Sequence, residues 1–158
     1  MQEKKKIKIS DPKQALSKAE TYCAYQERCH QEVRDKLYEW GMWPEAVENI
    51  ISELINSGYI NEERFAKLFA GGKFRIKKWG RIKIRSELKK RKIVDYCIKK
   101  ALQEIDEAQY FKTLKEILDR KSKEIKEKNP VIKNNKVARY AISRGFEADL
   151  VRDLMKND

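Results

Sequence analysis

The sequence has 158 residues, with 37 Lys and Arg against 25 Asp and Glu, a formal net charge of +12. Hydrophobic residues make up 41% of it and charged residues 39%, and apolar residues at regular spacing exclude a chain disordered throughout. Six Gly and three Pro argue against a turn-rich all-β chain and a Gly-rich nucleotide cradle, and no run of about 18 apolar residues exists to form a transmembrane helix.

Residues 1–10, MQEKKKIKIS, read as a flexible basic tail. The segment has no apolar h-region and is not expected to act as a secretory signal. Asp11-Pro12 supplies an N-cap and a first helical residue. From there apolar residues recur at helical spacing almost to the end of the chain. Cys23, Cys29 and Cys97 give an odd count with no zinc-ligand spacing, so they read as small buried or half-buried thiols in a reducing cytoplasm. His30, the single histidine, reads as a solvated helix residue. Gly41 ends one helix, Pro44 opens the next and Gly58 ends it; Val47, Ile50, Ile51 and Leu54 form its apolar stripe. Asn61, with Glu62 and Glu63, opens a further helix, placing acid at the positive end of its dipole. Phe65 and Phe69 follow on one face of it. No segment shows sustained period-2 alternation, so the predicted fold class is all-α.

Three segments align without gaps, beginning at Glu32, Lys83 and Lys136. Val33, Ile84 and Val137 are equivalent, as are Leu37, Leu88 and Ala141, then Met42, Ile93 and Phe146. Val47, Ile98 and Val151 continue the match, followed by Ile51, Leu102 and Met155. Gly41 and Gly145 occupy one turn, where the middle copy has Lys92. The expected organisation is a basic tail (1–10) and three tandem three-helix, helix-turn-helix-like repeats over 11–58, 59–106 and 107–158. One repeat cannot bury its apolar face alone, so the repeats are expected to stack into an elongated or curved array, with a compact bundle of the same helices as the competing arrangement. Arg120–Pro130 reads as a solvated helix end or loop between the second and third repeats.

The charge is concentrated. Lys73–Lys100 holds thirteen basic residues and two acids, a net +11. At about 100° per residue, Lys78, Arg81, Arg85, Lys89 and Lys92 would form one stripe, with Ile84 and Leu88 anchoring the helix beside it. Such a ridge attracts a phosphate backbone or an acidic protein groove. The candidate contact residues are Arg75, Lys77, Lys78, Arg81, Lys83, Arg85, Lys89, Lys90 and Arg91. A secondary set is Arg34, Trp40, Arg139 and Arg144. Trp40 aligns with Arg91 and Arg144, which suggests an exposed position in each repeat. Trp79-Gly80 reads as a turn with the indole tucked inward rather than as a base-stacking platform.

Several of these residues form a recognisable pattern. Gly58-Tyr59, Glu62-Glu63, Arg64-Phe65-Ala66, Lys78, Gly80, Arg81-Ile82, Glu87-Leu88 and Arg91 stand in the order found in the RecX family of bacterial recombinase regulators. The chain resembles that family from Ala19 onward, through Arg28 and Leu37 to Leu54, and more weakly at Arg144-Gly145-Phe146. It departs at Cys29 and Gln31, near where the family often has a small polar residue and an acid, and at Lys92, where it often has Gly. The resemblance implies a non-catalytic tandem-repeat protein that lodges in the groove of the RecA–DNA filament. There it would curb ATPase and strand exchange. The expected partners are the RecA filament and single- and double-stranded DNA, with no membrane partner, for a chain that is a monomer. The residues alone also support a sequence-nonspecific nucleic-acid-binding module. An enzyme is not expected: no P-loop or metal box is present, and His30 lacks an obvious nucleophile partner. No metal and no cofactor are expected.

Overall fold

The computed structural model describes residues 8–156. Among these the chain is all-α, with nine helices and no strand: α1 (Pro12–Tyr25), α2 (His30–Glu39), α3 (Pro44–Asn56), α4 (Glu62–Lys77), α5 (Arg81–Lys90), α6 (Asp95–Gln103), α7 (Glu107–Glu124), α8 (Pro130–Ser143) and α9 (Ala148–Lys156). They follow one another as three three-helix domains. No helix is long and apolar enough to cross a membrane among the described residues.

The helix starts follow the sequence signals. The Asp11 carboxylate accepts from the Lys13 amide at 2.9 Å, and the Asn61 side chain accepts from the Arg64 amide at 2.9 Å. These bonds satisfy amides that have no partner within their helix. The chain forms two compact units. One runs to Phe65 and includes Arg91–Ile93; the other comprises Ala66–Lys90 and the chain from Val94 on.

The first unit is built on α1–α3. Ala15 and Ala19 present small side chains on α1, against a core that includes Val33, Leu37, Val47, Ile51 and Leu54. Leu37 and Leu54 are fully buried, each contributing about 2 kcal/mol by transfer from water. In the second unit Ile84 and Leu88 bury one face of α5, and Ile98 and Leu102 bury one face of α6. Tyr110 of α7 lies between Phe74, with ring centroids 5.7 Å apart, and Phe146, at 5.2 Å. Seen from one repeat to the next, the aligned positions Val33, Ile84 and Val137 are all buried, as are Leu37, Leu88 and Ala141. The turn that follows is left-handed in every copy, with φ of 95° at Gly41, 59° at Lys92 and 99° at Gly145. The middle repeat thus keeps the turn geometry without the residue that adopts it most readily.

Three expectations need correction. Of the predicted tail, residues 1–7 lie outside the described residues, whereas the Ile9 amide donates to the Trp40 carbonyl at 2.7 Å and its side chain packs on the first core. His30 is half-buried and its Nδ1 lies 2.9 Å from Glu62 Oε1, because the start of α4 brings that acid to the start of α2. Trp40 is 5% exposed. Tyr22 packs against its ring edge-on at 6.3 Å, and the Lys18 ammonium sits 4.9 Å from the ring centre. Its indole belongs to the first core and is not offered to a partner.

Candidate partner-binding surface

The basic segment folds as the end of α4, a tight turn and all of α5. α4 stops because Lys78 takes φ of 58°. The Lys78 amide then donates to the Phe74 carbonyl at 3.1 Å, and the Trp79 amide to the Lys73 carbonyl at 3.2 Å. The turn is pinned within the second unit. The Gly80 amide donates to the Arg144 carbonyl at 2.8 Å, and the Ile82 amide to the Gly145 carbonyl at 2.9 Å. A Cβ on Gly80 would lie 2.3 Å from the Gly145 carbonyl carbon, so no larger residue fits while these bonds are kept.

Arg81 turns inward at this point. Its guanidinium pairs with Glu147 at 2.8 Å and lies over the Tyr110 ring, 3.8 Å from its centre. The Arg81 amide donates to the Tyr110 hydroxyl at 3.0 Å, and that hydroxyl donates to Glu147. Burial first, and then the Glu147 hydrogen bond, hold the Tyr110 phenol far above its ordinary pKa, so it stays a donor. Arg81 is therefore a structural residue, already committed to one carboxylate and one ring.

The predicted stripe along α5 is interrupted at both ends. Lys78 and Lys92 both lie outside the helix, in left-handed turns. Arg85 and Lys89 remain exposed, one turn apart on α5. Arg75, Lys77 and Lys78 are exposed at the end of α4. No ion pair engages these five cations among the described residues. Other candidates are occupied. Lys90 pairs with Glu87 at 3.1 Å, and half-buried Arg91 lies 3.8 Å from Glu32. Lys83 and Lys73 sit 4.6 and 5.0 Å from the centre of the Trp79 ring, and Phe69 meets that ring edge-on. The indole, expected to be tucked inward, is half-buried, with two lysine ammonium groups near its ring.

The secondary set divides in the same way. Arg34 makes two bonds to Glu48, at 2.8 and 3.2 Å. That pairing raises the Arg34 pKa and holds the Glu48 carboxyl below its ordinary value. Arg144 donates to the Lys77 carbonyl. Arg139 is exposed on α8, where it lines a shallow depression with Arg152 and Lys156. Two features escaped sequence reasoning. Ile76, in the last turn of α4, and Ile82, in the first turn of α5, are 78% and 50% exposed amid the cations. Arg120 and Lys121, read as part of a solvated helix end, line a cleft with Lys77 and Lys78.

The exposed cations suit this surface to binding anions. No three His, Cys, Asp or Glu side chains converge on a metal position among the described residues. Burial pushes the Cys23 thiol up to about 11 and the Cys29 thiol to about 12, which leaves neither a thiolate nucleophile at neutral pH.

Comparison with known proteins gives this geometry a context. The models of the first, second and third three-helix domains of RecX match residues 15–54, 61–102 and 107–155. The chain is 28% identical to the regulatory protein RecX of Prosthecochloris aestuarii, over 92% of its own length and 94% of the relative's. It is 28% identical to that of Listeria monocytogenes over 89% of its length, but spans only 52% of that longer relative. The crystal structure of RecX from Lactobacillus salivarius superimposes with a TM-score of 0.85 at 21% identity, covering 92% of this chain and 95% of that one. With all three domains matched in order along most of its length, the chain belongs to the RecX family, whose members are regulatory proteins rather than enzymes.

Proposed function

We propose that this protein is a negative regulator of the RecA recombinase in the bacterial cytoplasm. In this reading it binds as a monomer in the groove of the RecA–DNA filament and inhibits ATPase and strand exchange. Family membership supports the reading, and one observation carries it at residue level. Arg75, Lys77, Lys78, Arg85 and Lys89 are exposed on one turn and its two flanking helices, and none of them stands in an ion pair among the described residues. Such cations make charge-assisted hydrogen bonds to phosphates or carboxylates. Exposed Ile76 and Ile82 supply the apolar component that a protein partner uses and a phosphate backbone does not.

The test is binding to preformed RecA filaments on single-stranded DNA against binding to the same DNA bare, with ATPase read in parallel. Tighter filament binding with falling ATPase supports the reading. Unchanged ATPase and strand exchange at saturating protein would sink it. The second reading, a sequence-nonspecific nucleic-acid-binding module, draws on the same five cations. It requires equal affinity for bare DNA, with a log–log salt slope of about −0.9 per phosphate contacted on duplex.

A further inference from the structure

Within the second unit, the end of α4, the last turns of α7 and the end of α8 enclose a cleft of about 270 Å³. Five cations line it: Lys77 and Lys78 from the end of α4, Arg120 and Lys121 from α7, and Arg144 from the end of α8. Glu124 is the one acid among its lining residues, and it lies 3.6 Å from the Lys121 ammonium. Tyr140 closes one wall, with Lys121 Nζ held 4.2 Å from its ring centre. Arg144 is fixed by the bond that it donates to the Lys77 carbonyl; its other N–H groups remain to serve a ligand.

Three helices end here, at Lys77, Glu124 and Ser143, and some positive charge is expected near their carbonyl ends. Each helix terminus presents about half a negative charge, about −1.5 in all. The lining side chains carry a net +4, so about 2.5 positive charges stay unbalanced. Helix ends alone do not account for the cleft, and like charges crowded in this way call for an anion.

We infer that this cleft holds a backbone phosphate of DNA. The inference deepens the function proposed above and rests on it for its setting, since a filament-groove binder meets DNA at close range. A volume of about 270 Å³ admits a phosphodiester with part of its sugar. Planar Arg120 and Arg144 supply paired donors matched to phosphate oxygens, while the lysines supply point charge. The contact is to the backbone and carries no sequence information.

The test uses the full chain without recombinase, titrated with a fluorescein-labelled oligothymidylate by anisotropy over a range of salt. Arg120→Gln and Lys121→Gln are each expected to weaken binding several-fold and to make the log–log salt slope shallower by about 0.7, the value for one phosphate contact on a single strand. Lys121→Arg should keep both the affinity and the slope. Lys78→Gly should lose the contact without losing thermal stability, because glycine accepts the φ of 58° found there; this separates charge from folding. Unchanged slopes in these variants overturn the inference and make the cleft a solvated surface. Unchanged DNA binding with lost inhibition of the recombinase also overturns it, assigning the cleft to partner carboxylates while the regulatory function stands. Weakened DNA binding upholds the phosphate site even if the recombinase proves indifferent to the wild-type protein, an outcome that would refute only the regulatory reading.

Discussion

Replacing Gly80 by Ala tests how the basic turn is held. The added Cβ would meet the Gly145 carbonyl carbon at 2.3 Å, its oxygen at 2.4 Å and the Phe146 nitrogen at 2.4 Å. All three are backbone atoms, so no side-chain rotation relieves the clash. The turn must withdraw, and the bonds from the Gly80 and Ile82 amides to the Arg144 and Gly145 carbonyls are lost. Two net hydrogen bonds of about 1 kcal/mol each, with about 1–3 kcal/mol of overpacking strain, give a loss of about 3–5 kcal/mol. At an m-value of about 2 kcal/mol per molar urea, the midpoint should fall by about 2 M. Hydrogen exchange should show the loss around Gly80, Ile82 and Phe146 while α1–α3 keep their protection. A midpoint within about 0.3 M of wild type would mean that the turn is not packed as described.

Other perturbations separate structural cations from free ones. Lys92→Gly should stabilise the chain by about 0.5–1 kcal/mol, since relief of a left-handed residue, about 1–2 kcal/mol, exceeds the backbone entropy cost of glycine, about 0.5–1 kcal/mol; a lower urea midpoint would contradict this. Arg81→Glu should lower the melting temperature by setting a second carboxylate beside Glu147, whereas Arg85→Glu with Lys89→Glu should leave melting unchanged and weaken partner binding. Equal melting losses in the two variants would refute that division. The Cys23 and Cys29 thiols, raised by burial to about 11 and about 12 from an ordinary value of 9.0, should resist a thiol reagent at pH 8 until the chain unfolds. Because both folded values are raised, the stability they contribute is complete below pH 9 and is lost as pH climbs towards 11 and 12; stability rising over that range would contradict the assignment.

The repeat was legible because burial recurs at fixed spacing. Aligning the three segments places Val33, Ile84 and Val137 in equivalent core positions and Lys92 in a turn made elsewhere by glycine. Trp40 misled because its equivalents are arginines, yet the position is not an exposed one. Arg91 reaches Glu32, Arg144 reaches the Lys77 carbonyl, and Trp40 packs beside Tyr22. All three copies use this place for internal contacts, by different chemistry. The continuous stripe failed for a backbone reason: helical periodicity cannot foresee that Lys78 and Lys92 leave the helix at positive φ. The commitment of Arg81 was also hidden, because Glu147 is 66 residues away in sequence. The cleft cations Arg120 and Lys121 read as a solvated helix end because their neighbours on α4 and α8 are distant in the chain.

The most direct measurement of the central claim compares two titrations of the protein at physiological salt. One uses preformed RecA filaments on single-stranded DNA with ATP, the other the same DNA bare, with recombinase ATPase followed in both. Tighter binding to filaments, falling ATPase, and loss of both effects in the Arg85→Glu, Lys89→Glu variant are the expected result. Equal affinity for bare DNA, with ATPase falling only as DNA is sequestered, would contradict it and leave a nucleic-acid-binding module on a RecX fold.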